Sequence, residues 1–167
     1  MYKDKFKGYA LKIDLPIVPA HIIVDNNEPE VVRDIKSIVP FKDIFPKFLD
    51  EVFSKKIIVA NKHFGNGTAK ELPAVAIKNL GVQAIIAKDF CPIFYKNAFN
   101  IGLLCIVANT DYIDDEDELK IDIKRSIAHN LNKQIGIKFL PLKKYFYKLY
   151  QNGGLLQSIN ELGGLYG

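Results

Sequence analysis

KIIVANKHFGNGTAKELPAVAIKNLGVQAIIAKDFCPIFYKNAFNIGLLCIV, residues 56–107, holds three short apolar runs separated by two stretches of helical spacing. The runs are Lys56–Ala60, Val82–Ala87 and Leu103–Val107. Each is rich in β-branched or small apolar residues and lacks polar alternation, the pattern of a strand buried on both faces. Thr68–Leu80 and Asp89–Ile101 lie between them, and Gly81 and Gly102 stand where a helix end takes a left-handed residue. Asp89 is placed to cap the second helix. Strand, helix, strand, helix, strand at this spacing predicts adjacent parallel strands joined by crossover helices.

Outward from this centre the chain is less regular. Lys5–Ile13 reads as an opening strand, and Pro16 and Pro19 predict a break after it. Glu28–Ile38 has helical spacing through Val31, Val32, Ile35 and Ile38, and Phe41–Phe53 is a broken helical stretch interrupted by Pro46. Past Asn109 the character changes. Asp111–Glu118 is an acidic loop, Leu119–Ile123 alternates like a half-exposed strand, and Ser126–Leu140 has room for two more strands. A terminal amphipathic helix is predicted over Leu142–Tyr150, ended by Asn152-Gly153-Gly154. With no internal repeat or low-complexity linker, the expectation is one α/β domain over 1–167, with a mixed, partly parallel sheet.

The chain has 167 residues, 49% of them hydrophobic, enough for a buried core. No apolar run approaches the roughly 20 residues of a membrane helix, and the start lacks a signal-like apolar segment. The expected address is the cytoplasm, with no membrane partner. Net charge is +4. The lysines are scattered, and Lys138, Lys143, Lys144 and Lys148, interleaved with Phe139, Tyr145 and Phe146, read as a solvated helix side rather than a nucleic-acid face. A mildly basic surface suits a small anionic substrate. Cys91 and Cys105 sit in apolar settings without CxxC spacing, and two thiols cannot complete an iron–sulfur or structural zinc site. Any metal centre would belong to another chain. His21, His63 and His129 stand far apart and read as loop or surface residues, His21 being the best exception.

The chemistry concentrates in His63-Phe64-Gly65-Asn66-Gly67-Thr68-Ala69-Lys70-Glu71. Two glycines let backbone approach a ligand, and a helix start behind them offers unpaired N–H groups to a carboxylate. Lys70, in the expected first turn, runs against the dipole preference, which an anionic partner would explain. A purely structural reading stands beside this one: Thr68-Ala69-Lys70-Glu71 has the form of a capping box, although Pro73 would then cost the helix a backbone bond. An unrelated nucleotide- or anion-binding domain is disfavoured, because the stretch has neither a Walker lysine after its second glycine nor a full GxGxxG.

These residues resemble the small, swivelling subunit of the isopropylmalate dehydratase and aconitase family of iron–sulfur hydro-lyases. That family carries Asn-Phe-Gly-Cys-Gly-Ser-Ser-Arg-Glu-His here, matched at Phe64, Gly65, Gly67 and Glu71. Its next segment is like Ser-Phe-Ala-x-Ile-Phe-x-x-Asn-Ala-x-x-x-Gly-Leu, against Asp89-Phe90-Cys91-Pro92-Ile93-Phe94-Tyr95-Lys96-Asn97-Ala98 through Gly102-Leu103. Fainter echoes occur at Ile17-Val18-Pro19-Ala20 and Gly153-Gly154-Leu155. The resemblance implies a swivel domain closing over a large subunit that holds the iron–sulfur cluster, with no cofactor on this chain. The implied reaction is dehydration and rehydration of a hydroxy di- or tricarboxylic acid, most simply 3-isopropylmalate in leucine biosynthesis.

Carried over by position, Thr68 takes the catalytic base role and Lys70 binds a substrate carboxylate beside Gly65, Asn66 and Gly67. His21 and Ile23, after Pro19-Ala20, fall where the family sets substrate choice, and Ile23 makes that spot apolar. The chain departs from the pattern at the chemistry. Thr68 keeps a hydroxyl with narrower rotamers, Ala69 loses one, and Lys70 lacks the bidentate fork of arginine. Leu72 replaces histidine, and Asp14-Leu15-Pro16 lacks the second carboxylate of the family's Asp-Thr-Asp. Two further readings follow: a non-catalytic paralogue serving as an interaction or regulatory subunit, and a small subunit of a homoaconitase or dimethylmalate-type dehydratase.

Overall fold

A computed structural model describes residues 3–19, 48–67 and 70–163. The helical reading of Glu28–Ile38 and the first part of Phe41–Phe53 lie outside them. Seven strands form one mixed sheet: β1 (Lys5–Pro19), β2 (Ile57–Asn66), β3 (Ala84–Ala87), β4 (Leu104–Val107), β5 (Glu118–Asp122), β6 (Ile127–Asn130) and β7 (Ile135–Lys138). The described helices are α1 (Phe48–Val52), α2 (Leu72–Asn79), α3 (Pro92–Asn100), α4 (Lys144–Asn152) and α5 (Leu155–Gly163). None is long and apolar enough to cross a membrane.

Strand order is β4-β3-β2-β1-β5-β6-β7. β2, β3 and β4 are adjacent and parallel, in register Ile57–Ala84–Leu104 through Ala60–Ala87–Val107, with α2 and α3 as the crossovers the sequence predicts. All of Ile57–Ala60 and Ala84–Ala87 is buried, as two-sided strands require. β1 is shared between two half-sheets. Its first part pairs antiparallel with β5 from Lys5 to Tyr9, and its second part pairs parallel with β2 from Ala10 onward. The outer strands meet as well. Ala108 bridges Phe139 antiparallel, and the Leu140 N–H donates to the Val107 carbonyl at 3.1 Å. The sheet thus curls enough to bring its two outer strands together at one end.

Several boundaries differ from the sequence reading. β1 continues through Pro16 to Pro19, with register shifts between Ile13 and Ile17 and between Ile17 and Pro19. The prolines fall in an irregular part of the ladder, where their missing N–H costs little. α2 starts at Leu72 rather than Thr68, with Pro73 in its first turn and Glu71 at the N-cap, making no side-chain cap bond. Proline is tolerated in a first turn and disrupts an interior, so Pro73 sets the start and the capping-box reading fails. α3 starts at Pro92 with Cys91 as N-cap, not Asp89. The residue before proline is pushed to extended backbone, and Cys91 sits at ψ 129. α5 has no counterpart in the reading. A Gly153-Gly154 turn, both at positive φ, sends the chain back as a second helix.

The acidic loop after β4 is tied down rather than loose. Lys55 Nζ reaches Glu51 at 2.7 Å, Asp115 at 2.8 Å and Glu116 at 3.2 Å. Burial alone would push the Lys55 ammonium down, but these carboxylates outweigh it and hold it above the usual lysine range. At the opposite side, Lys5 lies 3.0 Å from the Asp122 carboxylate and lowers its pKa, against the opposing effect of burial. Lys124 and Tyr147 lower that of Asp4 likewise. Carboxyls depressed in the folded state contribute stability above their unfolded pKa and lose it as pH falls through the folded one. The melting temperature is therefore expected to hold down to about pH 4 and drop below it. Asp122→Asn should lower it at pH 7 and flatten that acid decline; an unchanged acid limb would contradict the assignment.

Candidate functional site

The carboxyl ends of β2, β3 and β4 share one edge of the sheet, which is where open α/β folds place ligands. β2 does not end with the apolar run at Ala60 but continues to Asn66. Its last residues stay tied to the segment after β3. Lys88 N–H donates to the Asn61 carbonyl (3.1 Å), Phe64 N–H to the Asp89 carbonyl (3.2 Å) and Cys91 N–H to the Phe64 carbonyl (2.9 Å). Phe64 is fully buried, edge-on to Phe94 at 5.2 Å and to Phe90 at 5.8 Å.

Gly65 follows at φ 83, and a Cβ built there would lie 2.2 Å from Phe94 Cγ. Only glycine allows the turn to press this closely on α3. Asn66 and Gly67 then emerge exposed, Gly67 at φ 99, and Lys70 is exposed two residues before α2. Gly65 and Asn66 are thus the last residues of β2 and Gly67 begins the turn after it, with Lys70 close behind in sequence and ahead of the helix rather than inside its first turn. Thr68, His21 and Ile23 lie outside the described residues.

Sequence reasoning missed one interaction. His63, at φ 55, donates its backbone N–H to Asp89 Oδ1 at 2.7 Å, and its Nδ1 lies 3.0 Å from the same oxygen. The signal in the sequence is Asp89, which by spacing alone reads as a helix cap. A cavity of about 550 Å³ opens on the same edge, with Lys88, Asn109, Asp111 and Lys138 around Val107 and Phe139. Lys88 pairs with Asp111 across it. None of the described candidate residues, Gly65, Asn66, Gly67 and Lys70, lines it.

The donor set does not suit an iron–sulfur cluster. Cys105 is fully buried in β4, where burial pushes its thiol pKa well up, and Cys91 caps α3. Among the described residues no three His, Cys, Asp or Glu side chains group as metal ligands.

Comparison with known proteins agrees with this architecture. Residues 5–111 match the aconitase C-terminal domain. A 3-isopropylmalate dehydratase small subunit of Archaeoglobus fulgidus is 36% identical, over 96% of this chain and 98% of that protein. A methanogen homoaconitase small subunit of Methanothermobacter thermautotrophicus is 41% identical over 66% of this chain and 65% of its own. The crystal structure of 3-isopropylmalate dehydratase from Methanocaldococcus jannaschii superposes with a TM-score of 0.89 at 32% identity, covering 97% of both chains. With its glycine turn at the carboxyl edge of a parallel sheet and likeness along nearly its whole length, the chain belongs to the aconitase C-terminal domain family.

Proposed function

We propose that the chain is the small subunit of a two-subunit hydro-lyase acting on a hydroxy di- or tricarboxylic acid, namely 3-isopropylmalate dehydratase of leucine biosynthesis in the cytoplasm. The observation that carries it is likeness to small subunits of that name over nearly the full length of both chains. On this reading residues 1–167 are a single swivel domain, and the partner is a large subunit that holds the iron–sulfur cluster. This chain contributes to the substrate side. The turn at Gly65–Gly67 lets backbone N–H groups approach a carboxylate, and Lys70 supplies a point charge to it. The Thr68 hydroxyl, once deprotonated, takes the proton from carbon, while His21 and Ile23 shape the pocket around the alkyl group.

A homoaconitase-type substrate is the second reading, favoured by the higher identity of the Methanothermobacter relative over the matched stretch. The substitutions at Ala69, Lys70 and Leu72 are what favour a third reading, a non-catalytic interaction subunit. A substrate panel separates the three. The complex with its large subunit, assembled anaerobically, is expected to turn over 3-isopropylmalate faster than homocitrate-type or citrate-type acids. Preference for homocitrate would move the assignment to homoaconitase, and no turnover of any acid would leave an interaction subunit.

A further inference from the structure

At the end of β2 one residue is held in a conformation that non-glycine residues rarely adopt. Between the Ala60–Ala87 pair and the Phe64–Phe90 bridge, three residues of β2 (Asn61, Lys62, His63) face two (Lys88, Asp89). His63, at φ 55, is the last of the three. Such a bulge bends the strand and re-aims a side chain. A left-handed non-glycine residue persists only where its surroundings over-determine it. Here the surroundings are Asp89, whose Oδ1 receives the His63 backbone N–H at 2.7 Å and stands 3.0 Å from Nδ1.

The side-chain contact itself adds little to fold stability. The His63 and Asp89 side chains are 56% and 41% exposed, and exposed pairs contribute little. Asp89 is not needed as a cap, because α3 begins at Pro92 behind Cys91. The two positions also depart together from the motifs quoted above, where the resembled family carries Asn and Ser. A carboxylate fixed to one imidazole nitrogen orients the ring and leaves the other for use. That nitrogen, Nε2, belongs to a residue two positions before Gly65, in a segment that also carries Lys62 and Lys70, with Lys88 on the segment hydrogen-bonded beside it.

We propose that His63, positioned by Asp89, contacts the substrate: with Nδ1 held toward Asp89, its Nε2 hydrogen-bonds the hydroxy acid. The inference rests on the hydro-lyase reading of the adjoining turn. It supplies a directional hydrogen-bonding group at a site where Lys70 stands in place of a forked arginine. Asp89 is the positioning residue, and the lysines provide the field that draws the anion in.

The test compares variants of the assembled heteromer on 3-isopropylmalate. His63→Asn tolerates positive φ, so the bulge is kept, and its KM is expected to rise about tenfold as that hydrogen bond is lost. Its kcat is expected to change far less. Asp89→Ser should raise KM by a smaller factor, and the double variant should show less than the product of the two effects. An unchanged KM in His63→Asn would overturn the proposal, whereas inactivity of the wild-type complex on every acid would instead overturn the hydro-lyase reading. The wild-type heteromer, with this chain labelled with ¹⁵N-histidine and titrated with 3-isopropylmalate, decides the matter without turnover. A saturable shift of the His63 Nε2 resonance supports the contact, and a resonance that stays still refutes it.

Discussion

Replacing Thr68 with alanine is expected to cut turnover of the heteromer by on the order of 10²–10⁴-fold, the contribution of a positioned general base. The residue directly follows Gly67, at the place where the resembled family carries its catalytic serine. A purely structural Thr68 would act by capping α2, but that helix opens at Leu72 behind Glu71. The variant is therefore expected to melt within about 2 °C of wild type, since no cap of α2 is lost. Thr68→Ser should preserve or raise activity, since it keeps the hydroxyl and removes the methyl that narrows its rotamers. Steady-state rates and melting curves on the same three preparations check this. Equal rates in wild type and Thr68→Ala would remove Thr68 from the chemistry.

Gly65→Ala is expected to be the most damaging single methyl in the described part of the site. The new Cβ would sit 2.2 Å from Phe94 Cγ and 2.4 Å from Phe94 Cβ, far inside contact distance, at φ 83. Phe94 cannot swing clear, because it is buried and packed against Phe64 and Phe90. Overpacking and the left-handed backbone together should cost about 3 kcal/mol or more, lowering the melting temperature by roughly 6–12 °C. Gly81→Ala makes a useful control. Gly81 shares the positive φ, at 81°, but a Cβ there meets nothing within 4 Å. It should lose only the backbone part, about 1 kcal/mol. Equal losses at the two glycines would mean that contact with Phe94 is not what fixes the turn.

The parallel half of the sheet was legible because burial on both faces leaves only apolar residues in Ile57–Ala60 and Ala84–Ala87. Helix starts were legible only through their prolines. Pro73 and Pro92 fix where α2 and α3 begin, and they overrule the cap assignments made at Thr68 and Asp89. β1 runs past its prolines because the register shifts there, and the spacing of residues along one strand does not record its partner. At the site, Gly65 and Gly67 announced a close turn by identity alone. The His63–Asp89 contact joins residues 26 positions apart and depends on a one-residue bulge, which no local pattern encodes. The meeting of the outer strands at Ala108 and Phe139 is likewise a tertiary event.

Titrating this chain into a fixed amount of cluster-loaded large subunit, with 3-isopropylmalate as substrate, tests the proposed role most directly. Formation of the unsaturated acid is followed by ultraviolet absorbance. Turnover is expected to be absent from either subunit alone, to rise with added chain and to level off at one chain per large subunit. Turnover by the large subunit that this chain does not change, or no turnover at any ratio, would contradict it.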